Sequence, residues 1–163
     1  MPKGLHLLTI DPGVRSTGWC YWQNLSIARP TPDVHGVWCA PGRLDWQRAT
    51  QVVVDQCAER LMDMQTRGLR IVVEWPALWT GSAKSMASGE AGDLFKLAAC
   101  IGALTREAWV VIHRRATMLP VNAWKGQLSK EIVVRRVKHQ TGIAFADHEA
   151  DACGMGLSLV GLL

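Results

Sequence analysis

Near its start the sequence reads Leu5-His6-Leu7-Leu8-Thr9-Ile10-Asp11-Pro12-Gly13. Residues 5–10 form a short, nearly continuous apolar run, which is typical of a strand that is buried on both faces. Asp11 is the first acidic residue after this run. The stretch therefore predicts a buried strand with a carboxylate at its end.

Two more strands are predicted directly after the first. Residues 17–22 and 34–40 have the composition of strands, and a polar, proline-containing turn at residues 24–33 separates them. Strands joined by short turns usually pair with their neighbours in the sequence. We therefore expect the first three strands to form an antiparallel meander.

Helices and strands alternate in the rest of the chain. Residues 45–67 predict a helix because Ala49, Val53, Cys57 and Leu61 recur every four residues, and Gly68 is expected to end it. The later predictions are a strand at 69–73, a helix within 85–109, a fifth strand at 110–113, a loop through Pro120 and Gly126, a basic helix at 129–140 and a last helix starting near Asp147. This order predicts an α/β fold with a five-stranded mixed sheet, three antiparallel strands then parallel strands, flanked by helices.

Composition is that of an ordinary globular protein. Hydrophobic residues make up 48% of the 163 residues and charged residues 20%, so we expect one domain spanning residues 1–163. No apolar run reaches the roughly 18–20 residues that span a bilayer, and the N-terminus does not read as a signal peptide. We expect a cytoplasmic protein with no membrane partner.

The five cysteines are spaced irregularly and form no CxxC pair. An odd number of cysteines without such spacing favours free, mostly buried thiols over a disulfide scaffold or a structural zinc site.

Positive charge is concentrated late in the chain. Residues 106–139 contain eight Lys or Arg and only two acidic residues, whereas the last 24 residues contain three acidic residues and no Lys or Arg. A basic segment beside an acidic one suits a protein that holds a polyanion near a carboxylate cluster. A solvated, charged helix face explains the same charges equally well.

Acidic residues follow two of the predicted strands. Asp11 comes after residues 7–10, and Glu74 comes directly after residues 71–73. If these two strands are parallel neighbours, both carboxylates lie at the same edge of the sheet, where open α/β sheets place their sites. Two close carboxylates repel unless one is protonated or a cation lies between them, and their oxygens suit Mg²⁺ or Mn²⁺. The alternative is that each acid ends its strand and is solvated.

The last helix contributes the remaining candidate groups. His148 and Asp151 are three residues apart and share a helix face, and small residues around them allow close approach to the sheet. Asp147 stands where an N-cap is expected, and Glu149 is expected to point into solvent. His148 and Asp151 could instead be surface groups, but the apolar residues 154–163 indicate a docked helix.

These motifs together resemble those of the RuvC Holliday-junction resolvases. Residues 10–18, Ile-Asp-Pro-Gly-Val-Arg-Ser-Thr-Gly, look like the first motif of that family. Residues 72–74, Val-Val-Glu, resemble the second, and residues 148–152, His-Glu-Ala-Asp-Ala, resemble the last. Residues 121–126 and Ser129-Lys130 fall where the family has a basic, DNA-contacting loop and helix start. The resemblance spans nearly the whole chain, in the family's order.

The resemblance implies an RNase H-like fold, a homodimer and paired nicks in four-way DNA junctions that leave 5′-phosphate and 3′-hydroxyl ends. It also implies two Mg²⁺ ions per active site, with Mn²⁺ as an alternative. Matched to the motifs, Asp11, Glu74 and Asp151 are the catalytic carboxylate ligands. His148 is the fourth catalytic and metal-binding residue, at a position where many relatives have Asp. Asp147 is the alternative fourth ligand.

The DNA contacts implied for this chain combine basic and aromatic residues. Lys125 and Lys130 are the first candidates for neutralising phosphates, and the remaining basic candidates are Arg114, Arg115, Arg135 and Arg136. Trp75 and Trp79 are the aromatic candidates, because the family places an aromatic residue shortly after the catalytic Glu. Trp79 in its polar loop is the candidate for an exposed ring that stacks on unpaired bases.

Three other functions are compatible with parts of the pattern. One is an RNase H-like nuclease that acts on RNA, or on DNA forks and flaps. Another is an ATP-binding domain of the actin or sugar-kinase type, whose phosphate turn resembles Asp-Pro-Gly followed by Thr-Gly, although the second phosphate loop of that class is not found in the sequence. The third is a protein that binds junctions without cutting them, which the presence of all four metal-site positions disfavours.

Overall fold

The structure is a computed structural model that describes residues 4–64, 67–76 and 92–163. Its strands are β1 (Leu5–Asp11), β2 (Ser16–Leu25), β3 (Val34–Cys39), β4 (Arg70–Trp75) and β5 (Ala116–Pro120). Its helices are α1 (Trp46–Asp63), α2 (Asp93–Ile112), α3 (Val121–Trp124), α4 (Lys130–Thr141) and α5 (Asp147–Ser158).

The five strands form one mixed sheet with the order β3-β2-β1-β4-β5. Strand β2 pairs antiparallel with both β1 and β3, which is the predicted meander. Strands β4 and β5 continue the sheet on the other side of β1 as parallel neighbours. The predicted α/β class and the predicted mixed sheet are both confirmed.

Helices cover both faces of the sheet because the central strands alternate their apolar side chains between the faces. Leu8 and Ile71 point into one core cluster, which α1 and α2 complete. Leu7 and Val72 point into the other, which α4 and α5 complete. The continuous apolar run at the start of the chain is thus a strand buried on both sides.

The predicted fifth strand at residues 110–113 is wrong. Residues 110–112 are the last turn of α2, and the C-cap residue that follows, His113, is in the left-handed conformation (φ 52°). A short β-branched apolar run fits a buried helix end as well as a strand, and here the stripe Cys100, Leu104 and Ala108 continues into it. The fifth strand is instead Ala116–Pro120, in the segment predicted as loop, and Pro120 is tolerated because it is the last residue of an edge strand.

Other boundaries differ less. Helix α1 ends at Asp63 and not at Gly68, with Met64 already extended (ψ 151°), while Asp45 caps its start by accepting a hydrogen bond from the Arg48 N–H. The helix predicted within 85–109 is described from Asp93, and residues 85–91 lie outside the described residues.

The prediction of free, mostly buried cysteines is confirmed. All five cysteines are free, and only Cys39 is exposed. No helix in the described part of the chain is long and apolar enough to cross a membrane.

Candidate active site

The parallel pairing of β1 and β4 brings the two strand-end acids together. Ile10 is in register with Val73, so Asp11 and Glu74 are the next residues on adjacent strands. Asp11 is buried, with 6% of its surface exposed, and Glu74 is partly buried. The predicted arrangement of both carboxylates at the carboxyl edge of the sheet is confirmed.

Helix α5 crosses this edge and adds His148 and Asp151. Nδ1 of His148 lies 2.7 Å from Oδ2 of Asp11, and Asp151 is only 8% exposed. The helix approaches closely because Gly18 has no side chain: a Cβ there would lie 2.1 Å from the carbonyl oxygen of His148. The Thr9 hydroxyl donates to the Ala152 carbonyl at 2.7 Å and fixes the helix against β1.

A short segment after β5 supplies two donors to these acids. The indole Nε1 of Trp124, at the end of α3, donates to Oε2 of Glu74 at 2.9 Å. Nζ of the next residue, Lys125, lies 3.0 and 3.1 Å from the two carboxylate oxygens of Asp151. Sequence reasoning placed Trp124 in a DNA-contacting loop and missed its contact with Glu74. The pair Trp124-Lys125 could have indicated this contact, but the strand before it, β5, was predicted as a loop.

Burial and neighbouring charges shift the ionisation of Asp11 and Glu74. Burial, and then repulsion from Asp11 and Asp151, raises the pKa of Glu74 to about 8, against a partial offset from Trp124 and Lys125. Burial also raises the pKa of Asp11, although the hydrogen bond from His148 opposes this. The same hydrogen bond raises the pKa of His148. Glu74 therefore retains a proton at neutral pH in the metal-free protein, and a bound cation in place of that proton would relieve the repulsion among the carboxylates.

The donor set fits a divalent metal ion in its chemistry. Three carboxylates and one imidazole provide the hard oxygen ligands that Mg²⁺ or Mn²⁺ prefers, together with one nitrogen. As the side chains stand, no group of three or more His, Cys, Asp or Glu in residues 4–64, 67–76 and 92–163 is arranged to hold a metal ion. Instead, Lys125 and His148 lie against the carboxylate oxygens of Asp151 and Asp11.

Two expectations for the start of α5 are wrong. Ala146 is the N-cap, and Asp147 is the first helical residue, paired with Lys130 and largely exposed. Glu149 is not solvated: its carboxylate accepts from Nδ1 of His35 on β3 at 2.9 Å and from the Ala146 N–H at 3.0 Å. Strand β3 is distant in sequence but passes beside α5, which no local pattern reveals. It is the imidazole of His148, and not Asp147, that contacts Asp11.

Comparison with solved structures identifies the fold. The structure of Thermus thermophilus RuvC in complex with a Holliday junction substrate superposes with a TM-score of 0.72 and 18% sequence identity, over 93% of this chain and 90% of that chain. The chain has the fold of RuvC. A second Thermus thermophilus RuvC structure superposes with a TM-score of 0.61 and 17% identity, over the same shares of the two chains. The RNase H-like fold that the sequence predicted is thereby confirmed.

Searches with the sequence alone do not detect this likeness. No protein-family model matches the chain. A search of curated proteins also finds no match.

The predicted DNA contacts fall at different distances from the carboxylate edge of this RuvC fold. Lys125 lies in the site, and Lys130 lies beside it, at the start of α4. Trp75 ends β4 next to Glu74 and is 41% exposed, so its ring is accessible at the same edge. Trp79 lies outside the described residues.

The arginines are more remote. Arg136 is about 9 Å beyond Lys130 along α4, where Arg135 and Arg136 line a surface cavity with residues 161–163. Arg114 and Arg115 precede β5 and therefore lie at the opposite edge of the sheet, about 13–17 Å from the level of Glu74. The guanidinium of Arg115 lies 5.7 Å from the Trp109 ring centroid. The structure does not bring these two arginines to the site, and their contact with DNA stays a prediction for a distant part of the substrate.

Proposed function

We propose that this chain is a divalent-metal-dependent endonuclease that resolves four-way DNA junctions by paired nicks. The observation that supports this most strongly is the convergence of Asp11, Glu74 and Asp151 from β1, β4 and α5, with His148 against Asp11. The RuvC fold agrees with this function, because one of the similar structures is a RuvC bound to a Holliday junction. We propose 5′-phosphate and 3′-hydroxyl ends as the products.

Asp11, Glu74, Asp151 and His148 are the residues that would hold Mg²⁺. Bound divalent ions supply charge neutralisation at the scissile phosphate and activation of a water molecule for in-line attack. As the alternative to holding the ion, the half-exposed imidazole of His148, which contacts the buried carboxylate of Asp11, would exchange protons between Asp11 and solvent.

Lys125 and Lys130 are suited to receive the DNA backbone. Lys125 already lies at Asp151, and the side chain of Lys130 is 40% exposed beside it. Ammonium groups at this spacing from the carboxylates would neutralise phosphates on the strand to be cut. Trp75 is available at the same edge for stacking on an unpaired base.

Paired nicks require two active sites, and we propose that a homodimer supplies them. One face of α2 is exposed, with large apolar residues at its ends and Ala99, Gly102 and Arg106 between them. Phe95 is 80% exposed and Trp109 is 48% exposed, and Ala99 and Gly102 lie on the same face at helical spacing. Small residues allow a second copy of the helix to approach, and the large ones then cover it.

A cleavage assay on a substrate panel tests the proposed function. Purified protein is incubated with a labelled four-way junction, a fork, a flap and an RNA–DNA hybrid, each with Mg²⁺ and with a chelator. We expect Mg²⁺-dependent, symmetric nicks in the junction and much slower cutting of the other substrates. Preferential cutting of the fork, the flap or the hybrid would mean that this nucleic acid, and not the four-way junction, is the substrate. Binding without cutting in Mg²⁺ and in Mn²⁺ would contradict a nuclease.

A further inference from the structure

Among the described residues, the hydrogen-bond donor to Glu74 is a neutral group. Its Oε2 accepts the indole N–H of Trp124 at 2.9 Å. An indole nitrogen is a donor only and stays protonated throughout the working pH range. The contact can therefore persist when a cation binds Glu74, whereas the ammonium of Lys125 at Asp151 would be repelled by that cation.

The position of Trp124 follows from the strand before it. Trp75 is in register with Pro120, so β5 ends level with β4 and α3 begins directly at the carboxylate edge. The Trp124 side chain then turns back toward Glu74 and is only 6% exposed.

The ring of Trp124 is locked by α5. A Cβ at Gly154 would lie 2.9 Å from a carbon atom of the Trp124 ring and 3.2 Å from Val133, so only glycine leaves room for the indole there. Trp124 belongs to the core cluster on that face of the sheet. Because packing fixes the ring, the indole N–H points in one direction, toward Oε2 of Glu74.

We propose that Trp124 is a positioning residue that orients Glu74 for metal binding. With Oε2 held by the indole, the orientation of the Glu74 carboxylate would be set before a cation binds. Groups that orient a ligating carboxylate through a hydrogen bond typically change metal affinity by about 10- to 100-fold. The proposal rests on the metal-dependent function proposed above.

The test compares two tryptophan variants of the whole chain. Trp124→Phe removes the N–H and keeps an aromatic ring. Trp22→Phe is the matched control, because Trp22 is fully buried in the same core cluster and its indole donates at 2.9 Å to the Pro30 carbonyl, away from the site. Mn²⁺ binding is measured by calorimetry without DNA, after thermal unfolding has shown that each variant is folded.

We expect Trp124→Phe to weaken Mn²⁺ binding by about 10- to 100-fold and Trp22→Phe to change it by less than about twofold. In cleavage assays the half-saturating Mg²⁺ concentration should rise for Trp124→Phe, while the rate at saturating Mg²⁺ returns toward wild type. Unchanged Mn²⁺ affinity in Trp124→Phe, or an equal loss in Trp22→Phe, overturns the proposal.

A measurement on the wild-type protein covers the case in which Trp124→Phe does not fold. The indole N–H resonance of Trp124 should shift on addition of Mg²⁺, and that of Trp22 should not. A Trp124 resonance that does not respond overturns the proposal.

The failure of this proposal and that of the proposed function are distinguishable. A wild-type protein that binds Mn²⁺ and cuts junctions, with Trp124→Phe unaffected, overturns the positioning role alone. A wild-type protein that binds Mn²⁺ through this site but cuts no nucleic acid overturns the function, and weaker Mn²⁺ binding by Trp124→Phe then still supports the positioning role. A wild-type protein that binds no Mn²⁺ overturns both.

Discussion

Nδ1 of His148 lies 2.7 Å from Oδ2 of Asp11, although 137 positions separate the two residues in the chain. The contact joins the first turn of α5 to the end of β1 and places a titratable imidazole against the buried carboxylate. It also brings the face of α5 that contains Asp151 toward Glu74. The proposed chemistry depends on this contact between α5 and β1.

Replacing Asp11 by Asn should abolish cutting and leave junction binding largely intact. The amide keeps the shape of the side chain but removes the negative charge that attracts a cation, so we expect at least about 10²-fold slower cleavage. Cleavage and gel-shift assays on one four-way junction measure the two effects. Asp55→Asn is the control, because Asp55 is an exposed residue of α1 whose carboxylate accepts from Gln51. Loss of binding together with cutting would count against the assignment of Asp11, and the same reasoning applies to Asp151→Asn.

The stability of the metal-free protein should fall as the pH rises. Burial raises the pKa of Glu74 from 4.5 to about 8, so the folded state retains a proton that the unfolded state loses. The stabilising contribution is fully present below about pH 4.5, is lost progressively as the pH rises toward 8, and is absent above it.

Urea unfolding in a chelator, at several pH values, measures this loss. The free energy of unfolding should decrease with pH more steeply in wild type than in Glu74→Gln, by up to about 1.4 kcal/mol per pH unit. Added Mg²⁺ should stabilise the wild type more at high pH, because its ligands must be deprotonated. Equal slopes in the two proteins would mean that Glu74 is ionised in the folded state.

Lys125→Met should destabilise the protein mainly when no metal is present. The side chains of Lys125 and Asp151 are 16% and 11% exposed, so removing the ammonium leaves a nearly buried carboxylate without its counter-charge. We expect a loss of about 1–3 kcal/mol in the free energy of unfolding. Mg²⁺ should recover part of it, so the rise in melting temperature on Mg²⁺ addition should be larger than in wild type. Lys138→Met, on the exposed face of α4, is the control, and an equal Mg²⁺ effect in all three proteins would refute this role.

Lys130→Gln should reduce the salt dependence of junction binding. Each phosphate contact on duplex DNA contributes about 0.9 to the slope of log K against log salt, so the slope should fall by about one. Arg70→Gln is the control, since Arg70 begins β4 at the opposite edge of the sheet. Fluorescence anisotropy at several salt concentrations gives both slopes. An unchanged slope for Lys130→Gln would remove this residue from the DNA interface.

Phe95→Glu should convert a dimer into a monomer. A charge at the end of the exposed face of α2 would be buried without a partner, which costs about 2 kcal/mol or more at an interface, or roughly 30-fold in dissociation constant. Met62→Glu makes the same change at another exposed apolar residue, on α1, and should remain dimeric. Sedimentation velocity distinguishes the species. A wild-type protein that is monomeric at micromolar concentration would contradict the proposed dimer.

Local patterns were sufficient for most elements of the fold. Continuous apolar runs predicted β1 and β4. The acid after each run predicted where the strand leaves the core, because burying an unpaired charge is costly. The same logic failed at residues 110–113, where an apolar β-branched run ends a helix. An apolar run that short is compatible with a buried helix and with a buried strand.

By itself the sequence determined which strands are buried and that Asp11 and Glu74 stand at strand ends, since both depend on the order of apolar and charged residues along the chain. Only the tertiary structure decided that Trp124 donates to Glu74, that Lys125 neutralises Asp151 and that His35 binds Glu149. These contacts join residues 26 to 114 positions apart. Their partners are set by how strands and helices pack in space, which no local periodicity encodes.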